Sequence, residues 1–332
     1  MTTTSTTRRL LLPLVPLYRL GLAASALKAS RPRQLAWPVV SVGNLSTGGS
    51  GKTPLAVALA RVLTQRGMHV DVLSRGYGRT SGGTLLVNPN GAAEDFGDEP
   101  LLIAREANVP VYVSAKRYEA GVLAEQSASG AASAIHLLDD GFQHRQLARA
   151  VNILLLNGRD LRDHLLPAGD LREPLSAIRR ADVIAVPADE PQTESDLRSR
   201  QWSGIIWRLR RTMDVPPLAG PVVAFCGIAR PEQFFAGLAA CGLKVASRIA
   251  FRDHHPYVLH DIDCLKDAAR SVGASALITT EKDRVRLGAL APAIAAPLAL
   301  HTARLRVEIE DEDAAIDWLL EQIRQARFVS AR

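Results

Sequence analysis

Residues 46–53 read Ser-Thr-Gly-Gly-Ser-Gly-Lys-Thr, directly after an apolar stretch, Pro38–Val42, and into a segment with helical spacing, Lys52–Arg66. No other feature restricts the possible folds as strongly. A bound phosphate needs close backbone approach and several N–H groups aimed at one anion. Glycine permits the first, and a helix N-terminus supplies the second. Gly48, Gly49 and Gly51 meet that need, with Ser46, Thr47 and Ser50 completing the loop. Lys52 is spaced to reach the outer phosphates of a nucleotide, and the Thr53 hydroxyl suits a Mg2+ position. A strict phosphate-loop pattern has glycine where this chain has Ser46. Chance glycine-rich turns rarely end in Lys-Thr at a helix start, so the segment calls for a strand before it and a helix after it.

The surrounding pattern agrees. Further strands are expected at His69–Ser74, Val109–Ser114, Ala134–Asp139, Val151–Leu156 and Asp182–Val186, with helical segments between several of them. Short apolar strands alternating with helices indicate an α/β fold of the P-loop NTPase kind, its mostly parallel sheet covered on both faces. A second series runs through Pro221–Ile228, Leu243–Phe251 and Ala276–Thr280 to a closing helix at Asp311–Arg327. The economical division is an arm over 1–33, a nucleotide-binding domain over 34–204, a strand linker over 205–218 and a second, smaller α/β domain over 219–332. The cleft between the domains is the default place for a substrate.

Charge is unevenly placed. Arg8, Arg9, Arg19, Lys28, Arg31 and Arg33 stand in the first 33 residues with no acid among them, and they equal the chain's whole formal excess of +6. The folded body is therefore balanced, and aromatic residues are only 5% of the chain, so a nucleic-acid partner is not expected. Leu10 to Leu27 is largely apolar but broken by Pro13, Pro16 and Arg19, too interrupted for an ordinary spanning helix. A signal peptide fits poorly, because more positive charge follows the apolar run. The preferred reading is a short helix from about Pro16 to Lys28 in a membrane interface, with basic residues on anionic head groups; the alternative is a helix packed on the protein's own core. The threonine-rich first seven residues are expected to be disordered. Cys226, Cys241 and Cys264 are far apart and odd in number, as expected of reduced thiols rather than a zinc site.

Several polar constellations sit where strands end. Ile135-His-Leu-Leu-Asp-Asp-Gly141 is an apolar strand closing on two carboxylates, and strand C-termini line the ligand edge of a parallel sheet. Asp139 and Asp140 can serve a metal ion there, or form a solvated turn. Asp98 in Gly97-Asp-Glu-Pro100 is either a helix cap or a functional acid. Asp253-His-His255 offers a carboxylate and two histidines, a set that can orient a general base. Ser74-Arg-Gly-Tyr-Gly-Arg79 and Arg172-Glu173 offer cations for an anionic substrate, or plain salt bridges.

Taken in order, Ser41-Val-Gly-Asn-Leu-Ser-Thr-Gly-Gly-Ser-Gly-Lys-Thr-Pro54, Ser74–Arg79, Gly97–Pro100, Leu138-Asp-Asp-Gly-Phe-Gln-His144, Gly169-Asp-Leu-Arg-Glu-Pro174 and Asp253–His255 resemble the tetraacyldisaccharide 4'-kinases, the lipid A kinases of Gram-negative bacteria. The resemblance spans roughly residues 9–290, and that family tolerates a non-glycine at the position of Ser46. It implies transfer of the γ-phosphate of ATP to the 4'-hydroxyl of a tetraacylated glucosamine disaccharide 1-phosphate, giving lipid IVA. It places the work at the cytoplasmic face of the inner membrane, by a peripheral or monotopic protein expected to be a monomer. By motif, the loop Ser46–Thr53 would bind ATP, with Lys52 on its phosphates and Thr53, Asp139 and Asp140 on Mg2+. Asp140 would also serve the catalytic geometry. Asp98 would be the base, His255 (in preference to His254) would assist it, and Arg172 would stabilise charge. The rivals are a membrane-associated regulatory ATPase switch, which needs neither Asp98 nor the Asp-His-His segment, and a kinase of soluble substrates, which needs no apolar arm.

Overall fold

The structure is a computed structural model that describes residues 8, 10–27, 31–49, 51–131, 133–294 and 298–330. The first seven residues, Arg9, Lys28 and Ser50, for which the sequence raised expectations, lie outside the described residues.

Among the described residues, twelve strands form one sheet. In chain order they are β1 (Val39–Asn44), β2 (His69–Ser74), β3 (Leu85–Leu86), β4 (Val111–Val113), β5 (Ala134–Asp139), β6 (Val151–Leu155), β7 (Val183–Pro187), β8 (Ile205–Asp214), β9 (Val222–Cys226), β10 (Val245–Ala250), β11 (Ala276–Thr280) and β12 (Ala299–Ile309). Across the sheet the order is β10-β9-β11-β12-β8-β7-β6-β1-β5-β2-β4-β3. β1 lies between β5 and β6, parallel to both. The chain leaves β1 toward β2 on one side and later fills the other side with β6 and β7. The C-terminal end of β1 is thus a topological switch point, where an open α/β sheet takes its ligand.

The two expected halves are joined by more than a linker. Residues 205–209 of β8 pair in parallel with β7, and residues 209–214 pair antiparallel with 309–304 of β12. Residues 299–303 of β12 pair in parallel with β11. Each long strand therefore belongs to one lobe at one end and to a two-stranded ribbon at the other. Arg208, Arg210 and Thr212, alternate residues of one face, are exposed, in keeping with a strand lacking a covering layer on that face.

Burial explains the layers. Leu55, Leu59 and Leu63 on the helix Lys52–Gln65 recur at helical spacing and are fully buried against Val40 and Val42 of β1. Each such leucine contributes about 1.5–3 kcal/mol. The helix ends where Gly67 turns left-handed (φ 79°). The second lobe has its own cores, one around Val223, Phe225, Leu265 and Leu277 and one around Val222, Phe234 and Leu238. Cys226 is buried, whereas Cys241 and Cys264 are exposed.

The chain does not divide at 219 as cleanly as the sequence suggested. The closing helix, Glu312–Ser330, puts Ile316, Leu319 and Ile323 into the core of the first lobe, and Trp318 meets Trp207 of β8 edge-on at 6.3 Å. Its apolar face finds cover across β6 and β12, which hydrophobic spacing alone cannot specify. Leu319→Ala should accordingly cost about 2–5 kcal/mol. Hydrogen exchange should then rise in β6 before it rises in β9; the reverse order would place the helix with the second lobe.

Candidate active site

The loop after β1 passes through left-handed backbone at Gly48 (φ 92°) and Gly51 (φ 91°), where a side chain would be strained. It is braced from behind. Ser46 bridges Leu171, Thr47 N–H donates to the Asp170 carbonyl at 2.8 Å, and Arg172 N–H donates to the Leu45 carbonyl at 2.7 Å. Ser46 is fully buried; Asn44 Nδ2 donates to its hydroxyl at 3.4 Å, and Asp160 is hydrogen-bonded to it. The serine that stands in place of glycine is an inward anchor, so its side chain is turned away from a ligand. Thr53 is buried at the first turn of the helix.

Lys52 is almost wholly buried. Its Nζ donates to Asn44 Oδ1 at 2.9 Å and lies 3.4 Å from Asp140 Oδ1. The strand β5 ends at Asp139, and Asp140 follows in left-handed conformation (φ 46°). This turn can press on β1 because residue 43 is glycine: a Cβ there would fall 2.6 Å from that of Phe142. Arg172 donates to Asp140 Oδ2 at 3.0 Å, so Asp140 sits between two cations. Burial raises the Asp140 pKa, but Lys52 and Arg172 outweigh it and hold the carboxyl below its usual range. Asp139 differs. Burial, with the negative charges of Glu99 and Asp140, pushes it up to about 7. Its Oδ2 accepts from the Ser74 hydroxyl at 3.1 Å, while its Oδ1 is buried with no hydrogen-bond partner.

The orphaned oxygen fits a cation. Among the described residues no three His, Cys, Asp or Glu side chains group into a ready metal cage. Mg2+ does not need one, since it usually takes one or two carboxylates and completes its shell with water and phosphate oxygens.

A second cluster forms where the lobes meet. Asp98 opens the helix Asp98–Ala107, and the cap position belongs to Gly97 (φ 88°), which provides no side-chain cap. Gly97 packs so closely on Gly76 and Tyr77 that a Cβ would lie 2.9 Å from the Tyr77 carbonyl oxygen, which joins the Ser74–Arg79 loop to Gly97–Pro100. From the second lobe, His254 Nδ1 lies 3.2 Å from Asp98 Oδ2, and its ring lies 5.7 Å from that of Tyr77. The expectation that His255 assists Asp98 is corrected here. His255 Nε2 lies 2.9 Å from Asp261 Oδ2 and its ring stacks on Phe251 at 4.6 Å. Left-handed backbone at His254 (φ 56°) marks the bend at which the neighbours part.

Sequence reasoning missed several charged partners. Lys282 pairs with Glu99, and Arg286 donates to Asp98 Oδ2 at 2.9 Å. Burial works against ionising Asp98, but the His254 hydrogen bond and the charges of Arg286 and Lys282 hold its carboxyl well below the usual range. The same hydrogen bond raises the pKa of His254. Lys282 and Arg286 stand four apart on the helix Glu281–Leu287, a spacing that looks like an ordinary solvated face. On the other flank, Arg117 is buried; one terminal nitrogen donates to the Ala115 carbonyl at 3.0 Å and its Nε has no partner. Burial and nearby Arg75 push it down to about 10, and burial with Arg117, Arg149 and Arg75 pushes His144 down to about 4. Arg75 and His144 lie in motifs visible in the sequence; Arg117 carries no such signal.

Known proteins share this architecture from end to end. The chain matches the family described as tetraacyldisaccharide-1-P 4'-kinase over residues 7–324. The tetraacyldisaccharide 4'-kinase of Koribacter versatilis (strain Ellin345) is 42% identical over 328 residues, covering 94% of this chain and 98% of the relative. That of Rhodopseudomonas palustris (strain HaA2) is 37% identical over 330 residues, covering 96% and 94%. The crystal structure of the "apo" form of LpxK from Aquifex aeolicus in complex with ATP aligns with a TM-score of 0.73 at 32% identity, over 96% of this chain and 99% of that one. Both lobes, the phosphate loop and the carboxylate cluster between them fall within these matches, and the chain belongs to the tetraacyldisaccharide-1-P 4'-kinase family.

Proposed function

We propose that the protein transfers the γ-phosphoryl group of ATP to the 4'-hydroxyl of a tetraacylated disaccharide 1-phosphate. The observation that carries this reading is the meeting of Asp98 and His254, from different lobes, beside a phosphate loop. A nucleotide switch needs the loop, but it has no use for an acid–histidine pair on a second lobe.

The residues divide the work. Backbone N–H groups around Gly48–Gly51 and the Lys52 ammonium bind the triphosphate. Thr53, Asp139 and Asp140 would hold Mg2+, which supplies charge neutralisation at the transferring phosphate. Arg172 holds Asp140 in place at the loop. Asp98, oriented by His254, accepts the proton of the sugar hydroxyl as the new bond to phosphorus forms. The cations Arg75 and Arg117, with His144, offer an anionic acceptor a place near Asp139 and Asp140.

The acceptor's acyl chains call for a membrane surface, and the N-terminal helix Val15–Leu27 suits one. Val15 and Tyr18 pack on the first lobe, whereas Leu10, Leu12, Leu14, Leu17 and Leu20 are exposed. No helix among the described residues is long and apolar enough to cross a membrane. The helix lies on the interface, and the protein works as a monomer at the cytoplasmic face of the inner membrane.

The deciding assay follows label from γ-labelled ATP in the presence of the tetraacylated disaccharide 1-phosphate. Label should enter lipid; label found only as free phosphate would overturn the reading in favour of an ATPase. Lys52→Ala should lower turnover by about 10²–10³-fold with the fold intact by circular dichroism. Asp98→Asn and His254→Ala should each lower kcat by about 10²–10⁴-fold, with the double variant losing far less than the product. His255→Ala should retain most of the rate; a loss as large as that of His254→Ala would reverse the assignment. For metal, the sign follows from Asp139, whose folded pKa of about 7 lies above its ordinary value. Its protonation favours the fold at low pH, and this contribution is lost as pH rises toward 7. Mg2+ with nucleotide should therefore raise the thermal midpoint more at pH 8 than at pH 6, and Asp139→Asn should abolish the difference. Leu17→Asp/Leu20→Asp should reduce sedimentation with anionic vesicles; unchanged binding would remove the helix from the interface.

A further inference from the structure

The helix Glu281–Leu287 begins at Thr280, whose hydroxyl accepts from Asp283 N–H at 3.2 Å, and it points charged side chains at the first lobe. The guanidinium of Arg286 is bolted in place by its own lobe. One terminal nitrogen donates to the Gly227 carbonyl at 2.5 Å and to Asp283 Oδ1 at 3.0 Å. Asp283 is fully buried and also accepts from Gly227 N–H and the Tyr257 hydroxyl, each at 2.9 Å. The remaining edge of the guanidinium crosses to the first lobe, where Nε donates to Asp98 Oδ2 at 2.9 Å. One turn earlier Lys282 pairs with Glu99.

The two oxygens of Asp98 are thereby made unequal. Oδ2 faces Arg286 and, at 3.2 Å, His254 Nδ1. Oδ1 accepts from Glu99 N–H at 3.0 Å, which leaves it acceptor capacity. We propose that Arg286 is a positioning residue for phosphoryl transfer, holding Asp98 Oδ2 from the second lobe so that Oδ1 is the oxygen presented to the acceptor hydroxyl. This rests on Asp98 as the base. The hydroxyl proton passes to Oδ1 while the sugar oxygen bonds to the γ-phosphorus. The bond from that phosphorus to the β-bridging oxygen breaks, and its electron pair leaves with ADP.

A cation beside a base lowers its basicity, so its presence needs a reason. Asp98 is buried, and burial alone would return its proton and abolish it as an acceptor. The groups facing it are Arg286 and Lys282 from one helix, His254 (itself beside Asp253) from the loop before Tyr257, and Glu99 on its own helix. The hydrogen bond from His254 and the charges of Arg286 and Lys282, all from the second lobe, hold it ionised. The base is therefore complete only while the lobes touch, which ties proton acceptance to closure of the cleft.

The experiment compares Arg286→Gln and Arg286→Lys with Asp98→Asn and the double variant Asp98→Asn/Arg286→Gln, using ATP and the tetraacylated disaccharide 1-phosphate. Arg286→Gln should lower kcat by about 10–100-fold with KM for ATP within about threefold. It should also move the acid limb of the kcat–pH profile upward, because Asp98 then titrates nearer neutrality. Arg286→Lys keeps the charge without the fork, so it should restore the profile but only part of the rate. The double variant should lose no more than Asp98→Asn alone. Wild-type kcat and profile in Arg286→Gln, or losses that multiply in the double variant, would overturn the proposal. If Arg286→Gln does not fold, Arg286→Lys decides: a wild-type rate overturns the positioning role. Near-normal turnover of Asp98→Asn would instead remove the base assignment beneath it.

Discussion

Carboxylates crowd the cleft. Asp139 ends β5, Asp140 follows it, Glu99 raises the pKa of Asp139 through its charge, and Asp98 precedes Glu99 on a neighbouring helix. Like charges withdrawn from water repel strongly and lose their hydration, so such a cluster persists only if cations are built around it. Lys52 and Arg172 serve Asp140, Lys282 serves Glu99, and Arg286 with His254 serves Asp98. These cations arrive from four parts of the chain. Much of the architecture can be understood as what it takes to bring them there. Asp139 has the Ser74 hydroxyl but no ion-pair partner among the described residues, and its raised pKa and orphaned oxygen support the divalent-ion role proposed for it.

The parts of the site that depend on short local segments are legible in the sequence alone. A glycine-rich loop between strand and helix constrains its own backbone, and an apolar strand ending in Asp-Asp-Gly declares its edge, so Gly48, Gly51, Lys52, Asp139 and Asp140 can be named from a few neighbouring residues. Cross-lobe pairings are not legible in that way. His254 and His255 are adjacent and chemically equal, and only the left-handed bend at His254 decides which of them meets Asp98. Lys282 and Arg286 carry a spacing shared by countless solvated helices. Ser46 reads as a loop residue because its position in the motif is a loop position, whereas its burial depends on Asn44 and on Asp160, more than a hundred residues away.

The same limit applies to the fold. Alternation of short apolar strands with helices is enough for a mostly parallel sheet. It is not enough for the destination of the final helix, because an amphipathic face specifies that it must be covered and not by which core. Exposed arginines along β8 do hint at its mixed membership. The N-terminal helix joins the two kinds of evidence: its leucines are visible as an interrupted apolar run, but the Tyr18 hydroxyl bond to the Arg172 carbonyl at 3.0 Å is not. That contact connects the surface helix to the segment bracing the phosphate loop.

The ribbon of β8 and β12 has a mechanical meaning. A flexible linker would let the lobes drift in any direction, and a fully layered sheet would resist relative motion. Two hydrogen-bonded strands lie between these limits. Such ribbons tolerate a wider range of twist than broad sheets, and twisting changes the angle between their ends without breaking the rungs between residues 209–214 and 304–309. Such a strap would be stiff along its length and more compliant about it. A change of twist there would alter the angle at which the second lobe presents Arg286 and His254 to Asp98.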